Sequence, residues 1–554
     1  MKQYTSSLLL VLSALFALAC SNNEPADNAH FITSENLLSH IETLSSDEFE
    51  GRAPAGRGED LTVEYIVSKL EQSGVEPGAD NDSYIQNFPL LGQRVDSGSA
   101  SFHIKKDGEV VEELEYNADF MAWPSNEEEQ TDIRDAELLY AGYGIQAPEF
   151  EWDDYKDADV EGKVLVFKNS DPSHDPDIFE GESRLYYGRW SYKFEKAEEM
   201  GALGAIIIHT VPTAGYPWEV VSNSWGRERF ALKSSDGSSE QLPEFNSWIT
   251  QESSETLFDE AGLNLDEMLE AAADQDFAPV PLEGVTIDMN LSASYSDMNS
   301  RNVIGKIEGS DPDLNDEYVI FSAHYDHLGI TNPVEGDSIN NGAHDNATGV
   351  AALLETAGAM KQIEGELSRS VLFMFVGAEE MGLLGSLYWS QNPTVHPGKV
   401  SANFNLDSMQ IYGKTEDLVL VGYGRNSLTD LFREHAQQQG RTIEPDPQPQ
   451  QGFFYRSDHF SYARAGIPAI YPNPGRQYVN KPDSWTETVD SLSAANYHSV
   501  SDEINEYWDM DGMVEDTRLI YRTALDAVNR DEMMRWNDGD EFQAVRQEML
   551  EQTE

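Results

Sequence analysis

The second half of the chain alternates apolar runs with amphipathic stretches, and this pattern most strongly limits the possible folds. Four apolar runs of strand length stand at 318–322, 371–376, 402–406 and 468–471. Helical periodicity fills several of the intervals, as after Asn346, where Val350, Leu353, Leu354 and Ala357 form one apolar face. The alternation predicts an α/β domain whose central sheet is mostly parallel and flanked by helices.

Histidines and carboxylates follow the first three of these runs. His324 and Asp326 follow the first run, Glu379 and Glu380 follow the second, and Asp407 follows the third. Ligands of open parallel sheets bind at the carboxyl ends of the strands. A carboxylate that ends a buried strand needs an ion or a hydrogen-bonding partner, because an isolated buried charge is costly. Imidazole and carboxylate without thiolate suit zinc or a similar divalent ion, so we expect a metal site at this edge.

The first half of the chain has a different residue pattern. Residues 131–294 contain short β-rich runs separated by acidic turns, which indicates a separate module inserted into the main domain. The main domain is then discontinuous, with residues 31–130 and 295–530, and residues 531–554 form an acidic helix or tail. Helical periodicity at 34–44 and 61–70 brackets a stretch at 49–54 that we expect to be a loop.

The N-terminus has the pattern of an export signal. Lys2 precedes an apolar stretch at 8–18 that is too short for a permanent membrane span, so residues 1–19 are predicted to be a signal peptide. Cys20, the only cysteine of the chain, stands where a bacterial lipoprotein signal carries its lipidated residue. Residues 20–30 then form a lipidated cysteine and a polar tether. The alternative is ordinary cleavage after Ala19, which leaves Cys20 as a free thiol.

The charge of the chain limits its partners. Lys and Arg total 36 against 100 for Asp and Glu, which gives a net charge of −64. Such a surface repels phosphate backbones, so we expect no nucleic-acid partner. Aromatic residues make up 10% of the chain and the acidic residues are spread along its length, which indicates a folded protein with an acidic surface.

Several stretches, taken in order, resemble the M28 family of co-catalytic zinc peptidases, which includes bacterial aminopeptidases and the glutamate carboxypeptidase II group. The inserted module resembles a protease-associated domain. The resemblance implies a zinc-dependent exopeptidase of the phosphorylase/hydrolase-like fold. The matching stretches are SAHYDH at 322–327, GAHDNATG at 342–349, GAEEMGLLGS at 377–386, NLDSM at 405–409 and YH at 497–498, with a further likeness of Glu50-Gly51-Arg52 to the N-terminal segment of the family.

The resemblance implies two zinc ions per chain and a role for each matching residue. Asp345 would bridge both ions, with His324 and Asp407 completing one site and Glu380 and His498 the other. Two ions held by one bridging carboxylate are suited to polarising a carbonyl and activating a water.

The resemblance also implies roles for residues around the metals. Glu379 would be the general base that takes the proton of the attacking water. Asp326 would orient the ring of His324 through its second nitrogen. Tyr497 would donate to the oxyanion of the tetrahedral intermediate, although a packed aromatic ring is the alternative.

Other residues in these stretches have less specific expectations. A non-proline cis peptide is implied at Asp345-Asn346. His327 and His344 are expected to be structural, since the ligand positions are already filled. Arg456 lies in a stretch resembling a substrate pocket, although it could equally pair with surface carboxylates.

The sequence therefore favours an exported di-zinc exopeptidase, with an aminopeptidase ahead of other activities. It would act on peptide substrates and contact the membrane only through its lipid anchor. The protein would then lie in the periplasm or at the cell surface, and Ser21 after the cysteine favours the outer membrane. The alternatives are a glutamate carboxypeptidase-type enzyme, a single-zinc glutaminyl cyclase, and a non-catalytic protein of the transferrin receptor type. A carboxypeptidase needs cationic groups that bind the free carboxylate of its substrate, and the scarcity of Lys and Arg argues against that activity.

Overall fold

The computed structural model describes residues 28–156, 158–173, 178–233 and 243–553. The predicted signal peptide and Cys20 lie outside these residues. The strands are β1 (Glu76–Pro77), β2 (Ile85–Val95), β3 (Ser101–Lys106), β4 (Glu109–Leu114), β5 (Phe120–Pro124), β6 (Gln130–Tyr140), β7 (Gln146–Ala147), β8 (Trp152–Asp153), β9 (Val164–Lys168), β10 (Gly204–Ile208), β11 (Arg229–Leu232), β12 (Phe245–Ile249), β13 (Val280–Ile307), β14 (Tyr318–His324), β15 (Gly329–Val334), β16 (Asp337–Asn340), β17 (Ser370–Val376), β18 (Val400–Asn405), β19 (Asp417–Val421), β20 (Thr442–Pro445) and β21 (Ala469–Asn473).

The helices carry the longer connections between these strands. They are α1 (Ser34–Leu44), α2 (Arg57–Ser73), α3 (Trp190–Glu199), α4 (Val211–Ala214), α5 (Trp218–Trp225), α6 (Gln251–Glu260), α7 (Leu265–Ala271), α8 (Thr348–Lys361), α9 (Leu384–Gln391), α10 (Leu428–Gln438), α11 (His459–Arg464), α12 (Trp485–Asn496), α13 (Asp511–Asn529) and α14 (Gln543–Glu551). None of the helices in the described ranges has the length and apolar character needed to span a bilayer.

The predicted parallel sheet is present and is formed by the predicted strands. The strands β17, β14, β18 and β21 lie side by side and parallel. Within this block His324 lies opposite Val376, and Ser322 lies opposite Asn405. Because these strands end at nearly the same level, the residues that follow them gather at one edge of the sheet. Antiparallel strands extend the block on both sides. On one side β13 pairs with β17 and β2 pairs with β13, and on the other side β19 pairs with β21.

Helices cover both faces of this sheet, as the sequence predicts. Alternate residues of a strand point to opposite faces. Phe321 of β14 packs in a core that includes apolar residues of α1, α2, α8, α10 and α13. The neighbouring Ile320 packs in a second core with Trp389 of α9 and Tyr462 of α11. All four side chains are fully buried, and burial of one such side chain stabilises the fold by about 1.5 to 3 kcal/mol.

A second sheet lies upstream in the chain and shares one strand with the first. Its strand order is β4, β3, β13, β6, β9, β10, β12 and β5. The long strand β13 pairs with β3 and β6 through its first half and with β2 and β17 through its second half. Strands β3 to β5 precede residue 131, so the second sheet recruits residues that the sequence assigns to the main domain. The interpretation as an inserted protease-associated module stays a prediction.

The stretch at 49–54 differs from the expected loop. Residues Asp47–Arg52 form a short 3-10 segment, interrupted at Glu50 and Gly51, which both have positive φ. Gly51 is required there, because a Cβ at this position would lie 2.4 Å from the carbonyl oxygen of Asn340. The segment therefore packs tightly against the loop that leads to Asp345.

Candidate metal centre and its surroundings

The predicted metal ligands meet at the carboxyl edge of the parallel sheet. His324 is the last residue of β14, and Asp407 follows β18 by two positions. Glu380 lies in the turn after β17, and Asp345 lies in the short segment just before α8. His498 follows α12 by two positions. The peptide bond between Asp345 and Asn346 is cis.

Asp345 lies at the centre of this group, and its two oxygens face different histidines. Oδ1 lies 3.2 Å from Nε2 of His324, and Oδ2 lies 3.3 Å from Nε2 of His498. Nε2 of His324 also lies 3.4 Å from Oδ1 of Asp407. Nε2 of His498 lies 3.0 Å from Oε2 of Glu380. The five side chains thus form two three-residue groups that share Asp345.

Glu379 lies on the His324 side of this cluster. One possible ligand atom from each of His324, Glu379 and Asp407 lies within 4.8 Å of the others. Burial raises the pKa of Glu379 well above its usual range, and the charges of Asp458, Glu380 and Asp407 raise it further against the lowering effect of His324. Glu379 therefore favours its protonated form in this arrangement, and it lies close to the predicted ligands His324 and Asp407.

Asp326 makes further contacts besides the one that the sequence suggests. Its Oδ1 lies 3.9 Å from Nδ1 of His324, and its carbonyl oxygen lies 3.3 Å from the same nitrogen. Its carboxylate also accepts hydrogen bonds from the backbone N–H groups of Glu379, at 3.0 Å, and Glu380, at 3.3 Å. A fully buried carboxylate needs donors, and two consecutive amides of a turn supply them. Asp326 thus holds the turn that carries Glu379 and Glu380.

The two histidines expected to be structural both have protein partners. Nδ1 of His327 lies 2.6 Å from Oε1 of Glu380, so this ring contacts the oxygen of Glu380 that does not face His498. Nε2 of His344 lies 3.0 Å from the carbonyl oxygen of Met409. His327 therefore orients Glu380, whereas His344 joins the Asp345 segment to the Asp407 loop.

Three polar residues whose side chains had no predicted role hold the cluster in place. Asn346 donates to the carbonyl oxygens of His324 and Leu406, at 3.2 and 3.0 Å. Asp502 accepts from the backbone N–H of Asp345 at 3.0 Å. Ser457 donates to Oδ2 of Asp407 at 2.7 Å. Their partners are distant in sequence, so no local spacing could have indicated them.

The donor set fits divalent cations. Six carboxylates influence one another at this site: Asp326, Asp345, Glu379, Glu380, Asp407 and Asp458. Burial lowers the pKa of His498, but the carboxylates of Glu380 and Asp345 together have a larger effect and raise it to about 11. Both oxygens of the buried Asp458 have no described hydrogen-bond partner. So much buried negative charge needs cations, and oxygen and imidazole donors suit zinc.

Tyr497 lies beside this cluster. Its ring stacks on that of His498, with centroids 3.9 Å apart and an interplanar angle of 18°. Its side chain is accessible, with 66% of the residue surface exposed. The role of Tyr497 as an oxyanion donor stays a prediction.

Arg52 links the N-terminal segment to the metal cluster. Its guanidinium donates to the carbonyl oxygens of Leu44, Tyr325, Asn341 and Gly342, at 2.8, 2.8, 2.6 and 2.7 Å. Burial lowers its pKa to about 10, against the raising effect of four acidic groups that include Asp345 and Glu380. Arg52 therefore remains charged at neutral pH and ties the loops after β14 and before Asp345 together.

We expect Arg52→Met to destabilise the protein. The substitution keeps an aliphatic side chain but leaves four carbonyl oxygens without a donor and removes a buried charge, at a cost of about 3 to 5 kcal/mol. A thermal unfolding scan should show a clearly lower midpoint than wild type. Arg433→Met is the matched control, because Arg433 is 37% exposed and a surface change of this kind is worth about 0.5 kcal/mol or less. Equal midpoints for the two variants would contradict this role of Arg52.

A parallel α/β sheet with buried histidines and carboxylates at its carboxyl edge is typical of metal-dependent hydrolases. Residues 302–521 match the model of peptidase family M28. This stretch contains all the ligands described above, so the resemblance is confirmed for that part of the chain. The remaining residues, including the second sheet, lie outside the match.

Two bacterial proteins are similar to parts of this chain. The chain is 29% identical over 174 residues to leupeptin-inactivating enzyme 1 of Streptomyces exfoliatus, over 30% of this chain and 38% of that protein. It is 28% identical over 236 residues to the probable lipoprotein aminopeptidase LpqL of Mycobacterium tuberculosis, over 39% of this chain and 43% of the relative. Both alignments span less than half of the relative.

The fold as a whole resembles that of a solved bacterial enzyme. The aminopeptidase from Aneurinibacillus sp. strain AM-1 superposes with a TM-score of 0.51 and 19% identity. The superposition covers 92% of this chain and 97% of the other. It confirms an α/β fold with a central sheet flanked by helices and extends the likeness to the region outside the M28 match.

Proposed function

We propose that this protein is a zinc-dependent aminopeptidase that holds two metal ions and releases N-terminal residues from peptides. The observation that carries the proposal is the position of Asp345, whose two oxygens face His324 and His498 separately. One carboxylate shared by two ligand groups is the arrangement that a two-metal site requires. In this assignment His324 and Asp407 complete one group, and Glu380 and His498 complete the other.

Two zinc ions, when bound, would supply Lewis-acid polarisation of the scissile carbonyl and acidification of the attacking water. The chain itself supplies the proton transfers. Glu379 accepts the proton of the water and returns it to the nitrogen of the departing peptide, which leaves as a neutral amine. Asp326 and the turn amides hold Glu379 in place. Tyr497 donates its hydroxyl to the oxyanion that forms at the former carbonyl.

The surplus of carboxylates also supports the choice of substrate end. A free N-terminal ammonium is attracted to a cluster of buried acidic groups such as Glu379 and Asp458, whereas a free carboxylate there would be repelled. The second candidate is a carboxypeptidase of the glutamate carboxypeptidase type, which is favoured by Arg456 at the cleft. The names of the M28 relatives, an aminopeptidase among them, support the first candidate.

One digestion separates these functions. Zinc-loaded protein is incubated with a neutral peptide in three forms: both ends free, N-acetylated, and C-amidated. Mass spectrometry should show residues lost from the N-terminal end of the free and amidated forms and no loss from the acetylated form. Shortening from the C-terminal end would instead establish a carboxypeptidase. Loss of ammonia from an N-terminal glutamine peptide without shortening would establish a cyclase, and no reaction at all a non-catalytic protein.

We also propose that Cys20 anchors the protein to the outer membrane after export. The residue at this position resembles a lipoprotein acceptor, and one relative is named a lipoprotein aminopeptidase. We expect wild-type protein expressed in a Gram-negative host to sediment with outer membranes and Cys20→Ala to move to the soluble periplasmic fraction. The anchor is rejected if the two proteins fractionate alike.

A further inference from the structure

Three arginines converge where the second sheet meets the peptidase domain. Arg184 and Arg189 precede α3, and Arg456 lies in the loop before α11. The two stretches pack together: the backbone N–H of Arg184 donates to the carbonyl oxygen of Pro449 at 3.2 Å. A Cβ added to Gly452 would lie 3.3 Å from Cδ of Arg184. The arginines from both parts therefore share one surface.

Within the described ranges, these arginines form no ion pair of the kind that other buried arginines have, although the charges of Asp171 and Asp446 act on Arg184 and Arg456 from a longer distance. Arg425 pairs with Asp540 and Glu541, and Arg441 pairs with Asp516. Among the described residues, no carboxylate lies within the 4.0 Å of an ion pair from Arg184, Arg189 or Arg456. The chain has 100 acidic residues and 36 basic ones, so a shortage of acidic residues does not explain why these arginines have no ion pair.

The hydrogen-bonding capacity of the cluster is also largely unused. Nη2 of Arg184 donates to the carbonyl oxygen of Thr213 at 2.9 Å, but its Nε has no partner in the described structure. Nε of Arg456 is likewise buried without a described partner. Guanidinium groups with free donors are suited to carboxylates, which they bind in a planar, two-point geometry.

The like charges of the cluster oppose one another. Burial lowers the pKa of Arg189 to about 10, with Arg456 and Arg184 contributing. Burial also lowers the pKa of Arg184, and Arg456 adds to this effect against the raising influence of Asp171. A pKa of about 10 leaves Arg189 charged at neutral pH. Partly buried like charges are unfavourable without an anion, so the cluster has the properties of a site prepared for one.

The cluster is connected to the proposed metal centre through the residue after Arg456. The hydroxyl of Ser457 donates to Oδ2 of the proposed ligand Asp407 at 2.7 Å. Burial lowers the pKa of Arg456, against the raising effects of Tyr216, Tyr497 and Asp446. A peptide whose scissile bond lies at the metals can therefore extend towards the arginines. Its N-terminal ammonium is repelled from them, so only the part beyond the scissile bond can face them.

We propose that Arg184, Arg189 and Arg456 bind a carboxylate of the substrate on the C-terminal side of the scissile bond, which makes short or acidic peptides the preferred substrates. This inference rests on the proposed aminopeptidase function. The carboxylate is either the free C-terminus of a short peptide or the side chain of an Asp or Glu. The carboxylate cluster at the metals and the arginine cluster beyond them then hold opposite ends of the same peptide.

The test is a comparison of matched peptides on the zinc-loaded protein. Leu-Gly, Leu-Gly-Gly and Leu-Gly-Gly-Gly are each offered with a free C-terminus and as the C-terminal amide. At one length or more, we expect kcat/KM for the free form to exceed that for the amide by about tenfold, as for a charge-assisted interaction. A further amide series with Glu in place of one Gly distinguishes the source: recovery of the rate assigns the carboxylate to a side chain, and no recovery assigns it to the C-terminus.

Arg189→Gln and Arg456→Gln connect the preference to the cluster. Both should bring the ratio of free to amidated kcat/KM close to one, and this ratio does not depend on how much of a preparation is correctly folded. Arg433→Gln is the matched control, because it removes one positive charge from an exposed helix position and should keep the wild-type ratio. A wild-type ratio near one for both the Gly series and the Glu series, or an unchanged ratio in both cluster variants, would overturn the inference. Failure of wild type to cleave any peptide, amides included, would instead refute the aminopeptidase function on which it rests.

Discussion

Glu379→Gln should lower kcat on the order of a hundredfold or more while leaving the metal content of the protein unchanged. The amide keeps nearly the volume of the carboxylate but cannot accept the proton of water, and a lost general base costs a factor of this size. Glu379 lies among His324 and Asp407 in the described structure, yet the proposed ligand groups are complete without it. Steady-state kinetics on an aminoacyl-p-nitroanilide and metal analysis of the same preparation measure both quantities.

The neighbouring Glu380→Gln is the matched control for this prediction. Oε2 of Glu380 lies 3.0 Å from Nε2 of His498, and its other oxygen contacts His327. Its amide variant should lose metal, because a neutral amide oxygen is a poorer ligand than a carboxylate. Two adjacent substitutions of the same kind therefore have different effects. The assignment is wrong if Glu379→Gln loses metal as Glu380→Gln does, or if it hydrolyses the substrate at the wild-type rate.

Asp345→Asn should abolish most activity and weaken both metal sites together. The two oxygens of this carboxylate lie 3.2 Å from His324 and 3.3 Å from His498, so its replacement removes a negative charge that both groups share. A loss of metal-ion stabilisation of about 4 kcal/mol corresponds to a fall in kcat/KM on the order of a thousandfold. By contrast, Asp407→Asn should empty mainly the site that contains His324. Metal titrations of the two variants, followed by kinetics at saturating zinc, separate these outcomes.

A different result of the metal titration would show that Asp345 does not bridge two metal sites. If Asp345→Asn kept one tightly bound metal and lost only the other, the two groups would not share this residue. The substitution keeps the hydrogen bond from the backbone N–H of Asp345 to Asp502, so we expect the variant to fold. Circular dichroism and the unfolding midpoint, measured alongside metal content, check this expectation.

The parallel block of the sheet could be predicted because its signals are local. Each of the four strands is a short apolar run that is buried on both faces, and three of them are followed within a few residues by His, Glu or Asp. The rule that ligands gather at the carboxyl edge of such a sheet then brings His324, Glu380 and Asp407 together without knowledge of any contact.

The supporting residues could not be predicted in this way. Arg52 binds the carbonyl oxygens of Asn341 and Gly342, nearly 290 positions away in the chain. Asp326 stands two residues after His324, which suggests a contact with its ring, but this spacing does not indicate the hydrogen bonds that its carboxylate accepts from the amides of the Glu379 turn. Polar pairs of this kind depend on how the loops close over the sheet, and no periodicity records that closure.

The boundary between the two sheets illustrates a different limit. Strand β13 is continuous through 28 residues and belongs to both sheets. Its composition does not change sharply where its partners change from β3 and β6 to β2. The change in residue pattern along the chain therefore locates the second sheet but not its first strands. Strand β3 pairs with β13 and β5 pairs with β12, and both partners follow more than a hundred residues later.

The most direct test of this account is the zinc content of the wild-type protein at saturation. Purified protein is stripped with a chelator, dialysed against increasing free zinc, and analysed for metal and for aminopeptidase activity in the same samples. The account predicts two equivalents per chain, because Asp345 joins two complete ligand groups. It also predicts that His324→Ala binds one equivalent fewer than wild type. A wild-type plateau at one equivalent with full activity would contradict the two-metal site.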